Sequence, residues 1–167
     1  MKKIGIIGPN KSVCSKDLYD FGVELGKQIA TKDSAIICGG LGGFMEAVCK
    51  GAKTSPGTYS GQTIGILPDD ISEKANPYID NAIPTGMGVA RNIIIINTAD
   101  IIVAAGGGAG TLSEIAFAWQ KKKRVLCLTE FGGWSNELAG NNLDNRADGL
   151  LIEVSSIDDI KKHLTNE

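Results

Sequence analysis

A chain of 167 residues, 43% hydrophobic and 22% charged, has the size and balance of one soluble globular domain, residues 1–167. Its net charge of −2 gives no electrostatic footprint for duplex nucleic acid, so no nucleic-acid partner is expected. Cys14, Cys38, Cys49 and Cys127 show no CxxC spacing, and with His163 as the one histidine no metal site is expected; free thiols of a reducing compartment fit better.

The first apolar run, Lys3–Ile7, reads as a strand ending in the loop Gly8-Pro9-Asn10-Lys11-Ser12. Lys2 and Lys3 before it imitate a secretory leader, but the run stops at Pro9 and no later one approaches a membrane span, which predicts a cytoplasmic protein. A helix follows from about Ser15 to Thr31, its Leu18, Phe21, Leu25 and Ile29 three to four residues apart along one face. Ala35–Cys38 is wholly apolar, as a strand buried on both faces should be. It runs into Gly39-Gly40-Leu41-Gly42-Gly43 and a helix bearing Phe44, Met45, Val48 and Ala52.

Residues 54–61 read as an exposed turn, Thr63–Leu67 as the third strand and Pro68–Tyr78 as a loop. Asn81–Ile83 forms a short fourth strand leading into Pro84-Thr85-Gly86-Met87-Gly88. The four isoleucines Ile93–Ile96 have strand propensity, yet Ile101–Ala105 lies only a few residues on and parallel neighbours need a longer crossover; a helix over Met87–Asn97 is therefore predicted. Ile101–Ala105 enters Gly106-Gly107-Gly108-Ala109-Gly110, after which Thr111-Leu112-Ser113-Glu114 opens a helix to Lys122. The basic run Lys121–Arg124 is then a solvated helix end complementing the helix dipole. Arg124–Leu128 and Leu150–Val154 are the last strands, with a long loop, Glu130–Asp148, between them whose Phe131 and Trp134 suggest a lid or a subunit contact. Ser156-Ile157-Asp158-Asp159 caps an amphipathic final helix. Strands alternating with helices predict a Rossmann-like, doubly wound α/β fold with a mostly parallel sheet of six or seven strands.

Glycine is the compositional outlier: 22 of 167 residues is about 13%, against a usual ~7%. The glycines sit at strand-to-helix junctions, where unpaired N–H groups and the helix dipole favour a phosphate and the missing side chains let it approach. The dinucleotide fingerprint GxGxxG is absent, since Thr111 stands where the last glycine belongs. A near-match to the Walker A loop ending at Lys11-Ser12 fails at Asn10. The expected binding set is Gly8, Pro9 and Asn10; Gly39, Gly40, Gly42, Gly43, Met45 and Glu46; Thr85, Gly86, Met87, Arg91 and Asn92; and Gly106, Gly107, Gly108, Ala109, Gly110, Thr111 and Glu114. By spacing alone Thr111-x-x-Glu114 is a capping box, which accounts for Glu114 without chemistry.

Three segments, Gly39–Ala52, Ile83–Asn92 and Asp100–Ala118, together resemble the Lonely Guy superfamily, long mislabelled as lysine decarboxylases, and most of all its molybdenum-cofactor carrier branch. The resemblance spans roughly residues 3–130. It implies a Rossmann-like homo-oligomer, dimer or tetramer, whose glycine loops hold a small phosphorylated ligand, either molybdenum cofactor (molybdopterin) or a nucleoside monophosphate. Lonely Guy enzymes are cytokinin-nucleotide phosphoribohydrolases with the signature PGGxGTxxE and an upstream arginine in a Met-His-x-Arg-Lys segment. Gly107 to Glu114 carry that signature over, and Arg91 lies nine residues before Asp100, as the family arginine would. Gly106 replaces the family proline, and the His and Lys beside the arginine are absent from Met87-Gly88-Val89-Ala90-Arg91-Asn92. If the chain is a hydrolase, the resemblance gives Glu114 and Arg91 the catalytic roles, Glu114 stabilising the oxocarbenium-like sugar. If it is a carrier, which the altered neighbourhood favours, the same loops hold a pterin or nucleotide phosphate. A DNA-interaction module, as in DNA-processing protein A of related fold, is the weaker alternative, since the acidic balance opposes it.

Overall fold

The computed structural model describes residues 1–145 and 148–165. Its strands are β1 (Lys2–Ile7), β2 (Ser34–Cys38), β3 (Thr63–Leu67), β4 (Asn81–Pro84), β5 (Ile101–Ala105), β6 (Val125–Leu128) and β7 (Leu151–Val154). All pair in parallel in one seven-stranded sheet of order β4-β3-β2-β1-β5-β6-β7, so the doubly wound α/β expectation holds. The helices are α1 (Lys16–Ile29), α2 (Phe44–Ala52), α3 (Asn92–Thr98), α4 (Ala109–Gln120), α5 (Gly133–Leu138) and α6 (Ile157–Thr165). No helix among the described residues is long and apolar enough to cross a membrane.

Alternating side chains of the apolar strands feed two cores. On one face Ile4, Ile6, Ile36 and Val103 meet Leu18, Leu25, Phe44, Val48 and Ile160; on the other Ile7, Ile37 and Ile102 meet Ile95, Ile96, Ile115 and Trp119. Glycines in the first layer serve a purpose that the junction argument did not reach. A Cβ on Gly26 of α1 would stand 2.0 Å from the Val48 carbonyl oxygen, and one on Gly51 of α2 1.8 Å from that of Val23. Helices α1 and α2 therefore cross backbone to backbone, a contact open only to glycine.

Several boundaries differ from the sequence expectation. The helix expected over Met87–Asn97 is a 3₁₀ turn, Gly88–Arg91, followed by α3. Helix α4 starts at Ala109 with Gly108 as its N-cap, so Thr111 lies inside the first turn and the capping box does not form. The glycine run sets the N-cap at Gly108, three residues ahead of Thr111. The loop expected over Glu130–Asp148 contains α5, while its residues 146 and 147 lie outside the described residues. Phe131 is packed edge-on against Phe21, with ring centroids 5.4 Å apart, so it is anchored to the core, whereas Trp134 is 39% exposed. In the basic run Lys121 and Lys122 are exposed, but the Lys123 ammonium donates to the carbonyls of Asn97 and Ala99 and closes the C-terminus of α3.

Candidate functional site

The strand order reverses between β1 and β5, and the crevice at that switch point is where an open parallel sheet holds ligands. The loops that bound it are those following β1 and β5.

After β5, Gly106 and Gly107 adopt the left-handed region at φ 53° and 89°, which disfavours a side chain. Their carbonyls accept the N–H groups of Ser135 and Trp134 at 3.0 and 3.1 Å. The fully buried Ser135 Oγ lies 2.8 Å from the Ala104 carbonyl oxygen and 2.9 Å from that of Leu128. A Cβ on Gly133 would stand 2.5 Å from the Gly106 carbonyl carbon, so α5 is pressed onto the loop. Helix α5 thus clamps the carbonyl side of the turn. At the other end of the loop α4 begins without a side-chain cap, and the first-turn N–H groups of a helix have no intrahelical acceptor. Gly108 and Gly110 would each point a Cβ into open space, so nothing crowds the approach to that turn.

A cavity of about 250 Å³ lies against this turn. Of the expected residues it is lined by Gly8, Pro9, Asn10, Met45, Arg91, Asn92, Gly108, Gly110, Thr111 and Glu114. A second cavity of about 350 Å³ shares Pro9, Val13 and Gly108 with it and is bounded by Gly106, Gly107, Leu18 and Phe131. Ala109 begins α4 beside these cavities but is not in either lining.

Two buried charges meet at the cavity. Arg91 Nη1 lies 3.8 Å from Glu114 Oε1, an ion pair without a hydrogen bond, with both side chains 10% exposed. Burial pushes the Glu114 carboxyl up to about 7 from 4.5, with Arg91 drawing it partly back. Burial likewise lowers Arg91, opposed by Glu114 and Cys38. Arg91 Nε is buried without a hydrogen-bond partner, and so is Asn92 Oδ1, whose amide Nδ2 donates to Ser113 Oγ at 3.0 Å. A buried polar atom left unpaired costs about 1–3 kcal/mol.

The other expected residues do different work. Gly39 lies under the Arg91 guanidinium, where a Cβ would be 2.6 Å from Nη2. Gly40 (φ 72°) packs on Leu67 and Gly65, and Gly43 (φ 79°) on the Pro9 carbonyl oxygen. Gly42 touches Lys11 and Glu46, and Glu46 faces a third cavity with Lys11, Lys16 and Tyr19. Thr85 and Gly86 form a turn: the Thr85 hydroxyl donates to the Leu67 carbonyl at 2.7 Å and the Gly86 N–H to Asp69 at 3.0 Å. Met87 is exposed on that turn, outside the lining of the cavities. Val13, Leu41 and Val89, outside the set expected from the sequence, form apolar parts of the first cavity's wall. Single apolar residues in loops carry no periodic signal. Among the described residues no group of His, Cys, Asp and Glu could hold a metal ion.

Comparison with known proteins fits this geometry. A protein of Archaeoglobus fulgidus is 41% identical over 128 residues, covering 77% of this chain and 80% of its own. A cytokinin riboside 5′-monophosphate phosphoribohydrolase of Mycobacterium marinum is 26% identical over 159 residues, 86% of this chain and 83% of its own. Among solved structures, the molybdenum cofactor binding protein of Rippkaea orientalis superposes with a TM-score of 0.82 at 33% identity, covering 98% of this chain and 94% of its own. The molybdenum cofactor carrier protein of Chlamydomonas reinhardtii gives 0.82 and 33%, covering 98% and 96%. DNA processing protein A of Helicobacter pylori, at 19% identity and a TM-score of 0.71 over 98% of this chain and 80% of its own, shares the fold alone. The family model of the SLOG cluster4 family matches residues 1–160, and the chain belongs to that Lonely Guy-like family.

Proposed function

We propose that this chain binds a small phosphorylated ligand, a pterin or nucleotide phosphate, as a carrier of molybdenum-cofactor type. The phosphate sits at the first turn of α4, beside Gly108, Gly110 and Thr111, and the rest of the ligand extends toward Arg91, Asn92 and Glu114. The observation that carries this reading is the buried, unpartnered Arg91 Nε and Asn92 Oδ1 beside an uncapped glycine helix start. A bound phosphate ester offers acceptors to the arginine and the helix amides, and its organic part offers donors to Asn92 and Glu114. Molybdenum cofactor as cargo suits this donor set, because its phosphate is the group that the loop and Arg91 would hold. The solved carriers at 33% identity support it. The exposed Ile71, Ile83, Met87 and Val89, near edge strand β4 and the turn after it, support a homo-oligomer, dimer or tetramer, whose mass light scattering would give.

One observation favours hydrolysis as a second reading. A buried carboxylate beside an arginine in the cavity is what N-glycosidic cleavage of a nucleoside 5′-monophosphate would use to offset charge developing on the sugar. Incubation of the purified protein with AMP and other nucleoside monophosphates, followed by chromatography for free base and ribose 5-phosphate, separates the two. The carrier reading predicts no release, together with a melting shift on adding pterin or nucleotide phosphates. Release of base that disappears in Glu114→Gln would replace the carrier by an enzyme.

A further inference from the structure

We propose that Cys38 and Cys49 form an oxidative modification site, an intramolecular disulfide whose closure weakens the phosphate site above it; the second half rests on the proposed function. Cys38 ends β2 and Cys49 lies in α2, and their sulfurs are 3.8 Å apart with both residues fully buried. They are van der Waals neighbours, and roughly 1.8 Å of closure brings them to the ~2.05 Å of a disulfide. Neither thiol belongs to the ligand reading, and the pairing is local: Cys14 is half-buried and Cys127 lies in the core on the opposite face of the sheet.

The chemistry favours Cys38 as the attacking sulfur. The contact with Cys49 holds the Cys38 thiol below its ordinary value against the burial that raises it, aided by the N–H of Gly40, which donates to Cys38 Sγ at 3.3 Å, and by Arg91. The Cys49 thiol is held well above its ordinary value by the same contact and by burial. With a hydroperoxide as oxidant, the Cys38 thiolate attacks the peroxide oxygen, the O–O bond breaks, and Cys38 becomes a sulfenic acid as water or an alcohol leaves. The Cys49 sulfur then displaces water from that sulfenic acid. Two thiols lose two hydrogens and two electrons, and the peroxide is reduced by the same two.

The link to the site is Gly39. The Arg91 guanidinium rests on it so closely that a Cβ there would stand 2.6 Å from Nη2. Drawing Cys38 toward Cys49 pulls Gly39 and Gly40 with it, disturbs the N–H···S bond and removes the floor beneath Arg91.

The test uses the full chain, reduced and then exposed to hydrogen peroxide, with free thiols alkylated after denaturation and the protein analysed by mass spectrometry. Cys14→Ser serves as the parent, to remove the half-buried thiol. The expected result is one alkylated thiol, Cys127, in place of three, a mass about 2 Da lower before alkylation, a cross-linked peptide pair holding Cys38 and Cys49, and reversal by dithiothreitol. Three alkylated thiols after peroxide treatment, a cross-link to Cys127, or over-oxidation of Cys38 without a cross-link would each overturn the disulfide. AMP affinity, by calorimetry, is expected to fall roughly tenfold on oxidation and recover on reduction. A disulfide that leaves AMP affinity unchanged overturns the coupling. If the reduced protein binds neither AMP nor a pterin phosphate, the proposed function fails and the coupling with it, while the mass result still decides the disulfide.

Discussion

Replacing Glu114 by glutamine should stabilise the protein, and the gain should depend on pH. The carboxyl titrates near 7 in the folded chain against an ordinary 4.5, because burial disfavours its charged form. A raised carboxylate pKa means that the folded state holds its proton where the unfolded state has lost it. Stability from this group is therefore full below pH 4.5, falls as pH rises through 4.5 to 7, and is lowest above 7. A shift of about 2.5 units corresponds to about 3 kcal/mol at pH 8, about 1.4 kcal/mol at pH 5.5 and about nothing below pH 4. Glutamine resembles the protonated acid and does not titrate, so the difference between variant and parent traces that curve. At pH 8 the variant should melt about 6–12 °C higher, with the gap halved at pH 5.5. Urea denaturation at both values measures it. A variant less stable than its parent at pH 8, or a gap independent of pH, would refute the account: Arg91 would then depend on Glu114 more than Glu114 resists its burial.

Three other substitutions probe the scaffold and the loop. Gly51→Ala puts a methyl where the Val23 carbonyl oxygen stands 1.8 Å away, so α1 and α2 must part; a loss of about 3 kcal/mol or more in urea unfolding is expected, and a neutral result would contradict the crossing. Gly110→Asp places a carboxylate in open space within the first turn of α4. Stability should hold or rise by ~0.5 kcal/mol from the helix dipole, while binding of AMP or a pterin phosphate, followed by calorimetry, is lost; retained binding would move the phosphate elsewhere. Ser135→Ala removes the buried hydroxyl between the Ala104 and Leu128 carbonyls, which should cost about 1–3 kcal/mol in urea unfolding and weaken AMP binding as α5 loosens its hold on Gly106 and Gly107. Unchanged affinity in that variant would show that α5 does not hold the loop.

The pattern of apolar strands and the glycine junctions carried most of the fold, because period and punctuation are local properties. Ile36 and Ile37 read as a strand buried on both faces, and they are. The isoleucine run at 93–96 was legible only through the spacing argument, since its propensity points to a strand while the topology makes it α3. Helix α5 was hidden because its residues, Gly133 to Leu138, look like loop and its stability comes from contact with Gly106 and Gly107. The same reason hides the α1–α2 crossing: no local signal marks Gly26 and Gly51 as contact points. For the site, Arg91 and Glu114 are 23 positions apart in sequence, and what joins them is the sheet, which sets the turn after β4 beside the helix after β5. The capping box of Thr111 and Glu114 does not form because α4 starts at Ala109, two residues before the threonine, with Gly108 as its N-cap.

Moving Glu114 out of a capping role changes what the site can do. A carboxylate spent on a cap N–H would be ionised and occupied. The carboxylate found here receives no hydrogen bond from the described residues, and burial pushes its pKa up to about 7. In that state it can give a proton to a ligand heteroatom or accept one from a ligand N–H, and each choice changes the charge opposite Arg91. A hydrolase needs the ionised form, to face a developing cation on the sugar. A carrier gains from the neutral form, which lets an anionic ligand share Arg91 without repulsion from a second negative group. The direction of proton flow on binding therefore distinguishes the two uses of one geometry. Uptake of a proton as ligand binds at pH 7, seen as buffer-dependent heat in calorimetry and absent in Glu114→Gln, is the outcome expected of a carrier, and release of a proton is the outcome expected of the enzyme.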